Sequence, residues 1–317
     1  MDLLVNDLSL HGQFADLEGF QRSIGELMKI RQAANRHRRA FYCHRNLVNG
    51  QVTADKGLPA AVQTMPLDQK RVIMGWLTQQ GPFWEDDRLH EGGDWYECRS
   101  DVVTDTAIGE VAHCVLNGVD RALVSFEPSD FAYSPVSVDH IDDDGEKVTV
   151  DVLNFWQPAT AEAAFVSAPQ ALVSWAALRD LSVLRFDSLT FAENAFEPLK
   201  GQPFKVGVAE RILVRLEVLS RLKGSFGADG ALTHQGHEIY GKHFAGGKPW
   251  FSDSSDSEKV AFRTELTFKN PDVPGQHIFC PWHGKVKTPQ YRVHFSWPIT
   301  ADAPVYVVYV GPKITKK

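Results

Sequence analysis

The chain has 317 residues, of which 43% are hydrophobic, 11% aromatic and 23% charged, proportions that suit a globular protein long enough for two domains and exclude a disordered one. Its formal net charge of −7 offers no global attraction to nucleic acid, so any such attraction has to come from local clusters. No apolar run approaches the roughly 20 residues of a membrane span, the start lacks a basic segment ahead of an apolar one, and Cys43, Cys98, Cys114 and Cys280 show no paired spacing, so the expectation is a cytoplasmic protein with reduced thiols and no membrane partner.

In chain order, residues 16–35 are predicted to be helical, with Asp16 as N-cap and Leu17, Phe20, Ile24, Leu27 and Met28 on one stripe. An extended stretch, Ala40 to Cys43, leads to an Asn49-Gly50 turn. A second helix is expected from Leu67 to Gln80, stopped by Gly81-Pro82, and a third from Thr106 to Leu116 that hands over to a strand at 121–126. Val136–Ile141 and 147–155 alternate around Asp142-Asp143-Asp144-Gly145 and read as a β-hairpin with an acidic tip. The Ala-rich stretch 158–178 reads as helix and 181–191 as strand. The apolar spacing of Val208, Ile212, Leu216 and Leu219 predicts a helix from Val206 to Lys223, closed by Gly224. From Gly224 to Ser257 the chain is rich in Gly, Ser, Asp and His, which marks either a domain boundary or a functional loop, and the boundary is placed there. Strands are then expected at 262–268, 280–286, 291–297 and 305–310 as an antiparallel meander.

The predicted class is therefore α+β. Residues 1–223 would form a mixed helix/strand domain for sensing or partner binding, and residues 224–317 a β-rich domain carrying the chemistry. Charge is uneven. Arg22 to Arg45 holds seven Lys/Arg against Glu26 alone, a local charge of +6, and residues 268–317 hold seven against Asp272 and Asp302, or +5. Between them lie Glu85-Asp86-Asp87 and Asp142-Asp143-Asp144. Such segments can take up RNA or an acidic or basic protein partner, the basic helix and the acidic middle being the protein-facing candidates, or they can neutralise one another within the molecule.

The hairpin around Lys287-Thr288-Pro289-Gln290 is the most informative element. If Val286 faces Tyr291, then Lys285 faces Arg292 and His283 faces His294. Alternation puts Trp282, Val286, Tyr291, Val293 and Phe295 toward a core and the two histidines and two cations on the other face. Directly opposed cations repel, which a fold tolerates where an anion is expected. Two imidazoles with Lys and Arg suit metal-free phosphodiester cleavage: one ring takes the ribose 2′-OH proton, the other protonates the leaving oxygen, and the cations stabilise the charged phosphorane. His283, Lys285, Arg292 and His294 are the candidate catalytic set, and Lys287, Lys313 and Lys316 the candidate RNA contacts. The bland alternative is a polar outer sheet face whose cations deter edge pairing. His277, Cys280 and His283 have an H-x2-C-x2-H spacing, but Cys280 and His283 should point to opposite faces of one strand, which argues against zinc. No metal or other cofactor is therefore expected.

Residues 252–317, with Cys280-Pro281-Trp282-His283-Gly284-Lys285, Tyr291-Arg292-Val293-His294-Phe295 and Val308-Tyr309-Val310-Gly311-Pro312-Lys313, resemble the C-terminal module of poorly characterised bacterial accessory proteins associated with phage defence or toxin systems. The strand-rich end with its late basic and histidine set is also similar in pattern to RelE-like ribonuclease toxins. The resemblance implies a compact antiparallel sheet that cleaves RNA without metal. It does not extend to residues 1–223, and the alternative it leaves open is a non-catalytic module that binds nucleic acid or protein.

Overall fold

The computed structural model describes residues 1–90, 93–142, 145–168, 171–246, 249–287 and 289–315. Two compact units divide the chain, Met1–Ala171 and Leu172–Lys317, and each is built from both helices and strands, as an α+β protein.

In the first unit, strand β1 (Asp2–Val5) runs into helix α1 (Leu17–Arg36) and returns as β2 (Phe41–Tyr42), parallel to β1. Asp16 caps α1 through Gly19 N at 2.8 Å, a contact worth about 1 kcal/mol. Helices α2 (Leu58–Gln63) and α3 (Leu67–Gly75) follow, and α3 is continued by a π-turn to Gln80. Gly81, at φ +55°, supplies a backbone conformation that side chains resist and stops the helix where the Gly-Pro signal put it. Next come β3 (Trp95–Cys98), β4 (Asp101–Val102), helix α4 (Ala107–Leu116), β5 (Arg121–Val124), β6 (Val136–Ile141), β7 (Lys147–Val152), β8 (Asn154–Phe155) and helix α5 (Pro158–Ser167).

Four strands form a parallel sheet in the order β2-β1-β5-β8, and β4-β3-β6-β7 form a separate antiparallel sheet. Alternation along β1 decides which side each residue serves. Leu3 and Val5 join Phe20, Ile24 and Leu27 of α1, while Leu4 joins Ile108 and Val111 of α4 and Val136 and Val138 of β6. Both faces of the parallel sheet are thus covered, as parallel sheets require.

The second unit holds helix α6 (Trp175–Arg185), β9 (Leu189–Phe191), helix α7 (Val206–Lys223), helix α8 (His234–Phe244), β10 (Phe251–Ser252), helix α9 (Asp256–Ala261), β11 (Thr267–Lys269), β12 (His277–Phe279), β13 (His283–Val286), β14 (Tyr291–Phe295) and β15 (Val305–Pro312). A five-stranded sheet runs β10-β13-β14-β15-β9, antiparallel except for β9, which pairs parallel to β15. Helix α7 lies against β13 and β14 and is flanked by α6 and α8. A Cβ on Gly284 would come within 2.9 Å of the Phe251 ring, so this glycine lets β13 sit closely under β10.

Three expectations change. The stretch 158–178 is not one helix, because Ser174 caps a new one through Ala177 N. Consequently Leu181 to Arg185 close α6, and only Leu189–Phe191 is strand. The stretch 224–257, read as a boundary or loop, contains α8, whose Thr233 hydroxyl caps Gly236 N. The compact units part at 171/172, so that helix α7 falls in the second unit with β13 and β14. The reason is packing: α7 lies with the hairpin it covers.

Candidate functional site

The hairpin register is the one the loop length implies. His283 pairs with His294, Lys285 with Arg292, Gly284 with Val293, and Val286 with Tyr291. The four candidate residues therefore share one face. On the other face Val286, Val293 and Phe295 are fully buried, while Trp282 is only half-buried and stacks on Trp297 with ring centroids 4.0 Å apart.

The shared face is not an open one. His283 is 7%, Arg292 9% and His294 2% exposed. Phe268 of β11 and Tyr309 of β15 crowd the His294 ring at 6.0 and 5.6 Å between centroids, and Ser254 approaches His283 Nδ1 at 3.5 Å. The imidazoles lie 5.1 Å apart. His294 Nδ1 is 3.0 Å from the Cys280 carbonyl and His283 Nδ1 3.1 Å from the Pro281 carbonyl; a carbonyl only accepts, so each Nδ1 donates. Burial pushes His283 down to about 4, helped by the positive charge of Arg292 and Lys285. It pushes His294 down to about 3, with His283 adding to the effect. Both rings are neutral at pH 7, and neither is placed to protonate a leaving group there.

The cations separate by partner. Arg292 Nη1 donates to the carbonyls of Tyr291 at 2.8 Å and Val286 at 3.3 Å, so it holds the hairpin end together. Lys313 Nζ lies 3.0 Å from Glu258 Oε1, and that carboxylate, which also accepts from Thr315, is held down to about 2. Lys285 is half-buried, with no ion pair or side-chain hydrogen bond among the described residues. Burial lowers its pKa, and so do Arg292, Lys287 and Arg215. Lys287 is exposed. Lys316 lies outside the described residues.

The basic N-terminal segment is largely neutralised within its own unit. Arg22 pairs with Glu18, Lys29 with Glu26, Arg36 with Glu162 and Arg45 with Asp86. Asp143 and Asp144 of the acidic hairpin tip lie outside the described residues.

Two features of the first unit escaped the sequence. One is a buried ionic cluster in which Glu110 accepts from His90 Nδ1 at 2.6 Å and from Arg121 Nη1 at 3.0 Å, with all three side chains fully buried. Burial alone would raise the Glu110 pKa, but the His90 hydrogen bond and the Arg121 charge reverse this and hold it below the usual value. The other is a cavity of about 320 Å³ beyond the carboxyl ends of β1 and β2, lined by Asp7, His44, Asn46, Leu47, Asn49, Gly50 and Asp105. Of its lining, the sequence had marked only Asn49-Gly50, as a turn. Among the described residues, no three His, Cys, Asp or Glu side chains converge into a metal-enclosing group, and no helix is long and apolar enough to cross a membrane. Comparison with protein-family models, with curated proteins and with solved structures finds no match for this chain.

Proposed function

We propose that the second unit binds the phosphate backbone of RNA without cutting it, through the β13–β14 hairpin end. The observation that carries this reading is Lys285: a half-buried ammonium without an ion-pair partner among the described residues, facing Arg292 across the hairpin, its pKa lowered by burial and then by three neighbouring cations. Such a cluster is destabilising by itself and is relieved by an anion. A phosphate offers several oxygens to Lys285 and Lys287, while Arg292 stiffens the strand ends beneath. Cleavage is the weaker reading, because the two imidazoles it needs are enclosed and neutral. A place in phage defence or a toxin system rests on the resemblance of residues 252–317 alone.

The test is anisotropy of a short labelled single-stranded RNA across a salt series, with the RNA then run on a denaturing gel. Backbone binding by these two cations gives a slope of log K on log salt of about −1.4, at roughly −0.7 per phosphate. Lys285→Ala and Lys287→Ala should each flatten that slope by one such increment, and the RNA should stay intact. If the double variant binds like the parent, or if the parent shows no binding at low salt, the reading fails. Cut RNA that survives as an activity only while His283 and His294 are present would restore the catalytic one.

A further inference from the structure

Helix α9 is held in place by polar contacts and not by burial. None of its residues is buried, and its Val260 is 81% exposed, so docking it removes little apolar surface from water. Ser255 and Glu258 close a capping box at its start, the Ser255 hydroxyl accepting from Glu258 N at 3.3 Å and Glu258 Oε2 accepting from Ser255 N at 3.2 Å. Lys259 pairs with Asp253. The other carboxylate oxygen, Glu258 Oε1, reaches the segment after β15, where it lies 3.0 Å from Lys313 Nζ and accepts from the Thr315 hydroxyl at 2.6 Å. The Thr315 hydrogen bond and then Lys313 hold this carboxyl down to about 2, so it is ionised at neutral pH.

Lys313 stands at the end of the hairpin that carries Lys285 and Lys287. Pro312 pairs with Tyr291 across β14 and β15, and Lys313 N donates to the Gln290 carbonyl in the β13–β14 loop at 2.9 Å. By position it belongs to that cationic end; its charge is already taken by Glu258. The same acid acts deeper in the face. Burial disfavours charge on Arg292, His283 and His294, and Glu258 opposes burial at each of the three.

We infer, resting on the phosphate-binding reading of this hairpin end, that Glu258 is a built-in competitor for the RNA phosphate: it masks Lys313, and the end gains a third phosphate contact when α9 lets go. Release uncovers no buried side chain of the helix and breaks one partly exposed ion pair with its Thr315 hydrogen bond, the kind of contact that opens locally before a core does. A phosphate arriving in place of the carboxylate offers Lys313 the same charge-assisted bond. The surface therefore has two states, a weaker one with Glu258 on Lys313 and a stronger one with the carboxylate withdrawn.

Glu258→Gln is the test, because Gln keeps an oxygen for the capping box and for Thr315 while the charge is lost. In the anisotropy titration with labelled single-stranded RNA, this variant should bind more tightly at low salt and steepen the slope of log K on log salt by one increment, roughly 0.7. Adding Lys313→Ala to it should cancel the gain, whereas Lys313→Ala alone should leave the parent's slope as it is. A second readout needs no RNA. Under limiting acetic anhydride, followed by mass spectrometry, Lys313 should acetylate more slowly than the exposed Lys287 in the parent and about as fast as it in Glu258→Gln. Equal acetylation of Lys313 in parent and variant, or a gain in RNA binding that survives Lys313→Ala, would overturn the mask and leave the backbone-binding reading standing. No RNA binding by either parent or Glu258→Gln, with Lys313 acetylated faster in the variant, would instead overturn that reading and the competition with it.

Discussion

The two units each bury histidines, and they do so on opposite terms. In the first, His90 is sealed against a carboxylate that a buried arginine also holds, Glu110 between His90 and Arg121. In the second, His283 and His294 are sealed against each other and two backbone carbonyls, with the cations Arg292 and Lys285 nearby. A buried imidazole with an acid partner becomes part of an ionic scaffold. One without it is driven neutral and behaves as a polar space-filler. Sequence position does not distinguish these outcomes; the partner that arrives from elsewhere in the chain does.

The largest effect should come from breaking the first arrangement. Glu110→Ala removes the carboxylate that Arg121 and His90 share inside the unit, a change that commonly costs about 3–5 kcal/mol. Calorimetry should show the unfolding transition involving the first unit lowered by roughly 10 °C, at ~2–4 °C per kcal/mol for a unit of this size. A shift within a few degrees would mean that the cluster contributes little beyond packing.

Acid should separate the two units next. His283 and His294 titrate lower when folded than the ordinary 6.5, so the unfolded chain binds protons first. Their stability contribution is intact above pH 6.5 and is lost as pH falls toward about 4 and about 3, at up to ~1.4 kcal/mol per pH unit for each ring. Glu110 is shifted down from 4.5, so its contribution stays intact until the pH drops below that value. Between pH 6.5 and 4.5 the second unit should therefore weaken while the Glu110 cluster does not. His294→Gln should flatten the slope over that range; a slope unchanged in this variant would remove the burial account.

These contrasts also mark what was readable in the chain. The α+β class, helices α1 and α7 and the register of β13 with β14 follow from local signals: an N-cap, a 3.6-residue stripe, and a loop length that fixes pairing. The four hairpin residues were placed on one face for the same reason. That this face is an inner one depends on Phe268, Tyr309 and the segment around Ser254 folding over it, which no alternation pattern within the hairpin encodes. The Glu110 cluster was hidden because its members are 20 and 11 residues from Glu110 and none sits in a recognisable motif. The cavity was missed because Asp7, His44 and Asp105 meet only once the parallel order of β1 and β2 is known. In the other direction, the Ser/Gly-rich look of 224–257 concealed α8, whose sole local signal was the Thr233 cap.

The smallest expected effect bears on the second unit's cations. Lys285 and Arg292 face each other with the same charge, yet only Arg292 donates to carbonyls, those of Tyr291 and Val286. Lys285→Met keeps most of the apolar stem and removes a charge that burial and three cations disfavour, so thermal stability should stay within about 0.5 kcal/mol of the parent or rise slightly. Arg292→Met strips two backbone acceptors of their donor and should cost more, about 1–3 kcal/mol. Urea unfolding of the two variants measures the difference directly. The order matters more than either value: if Lys285→Met is the more damaging change, the ammonium has a structural partner after all, and the phosphate-binding reading built on its isolation loses its footing.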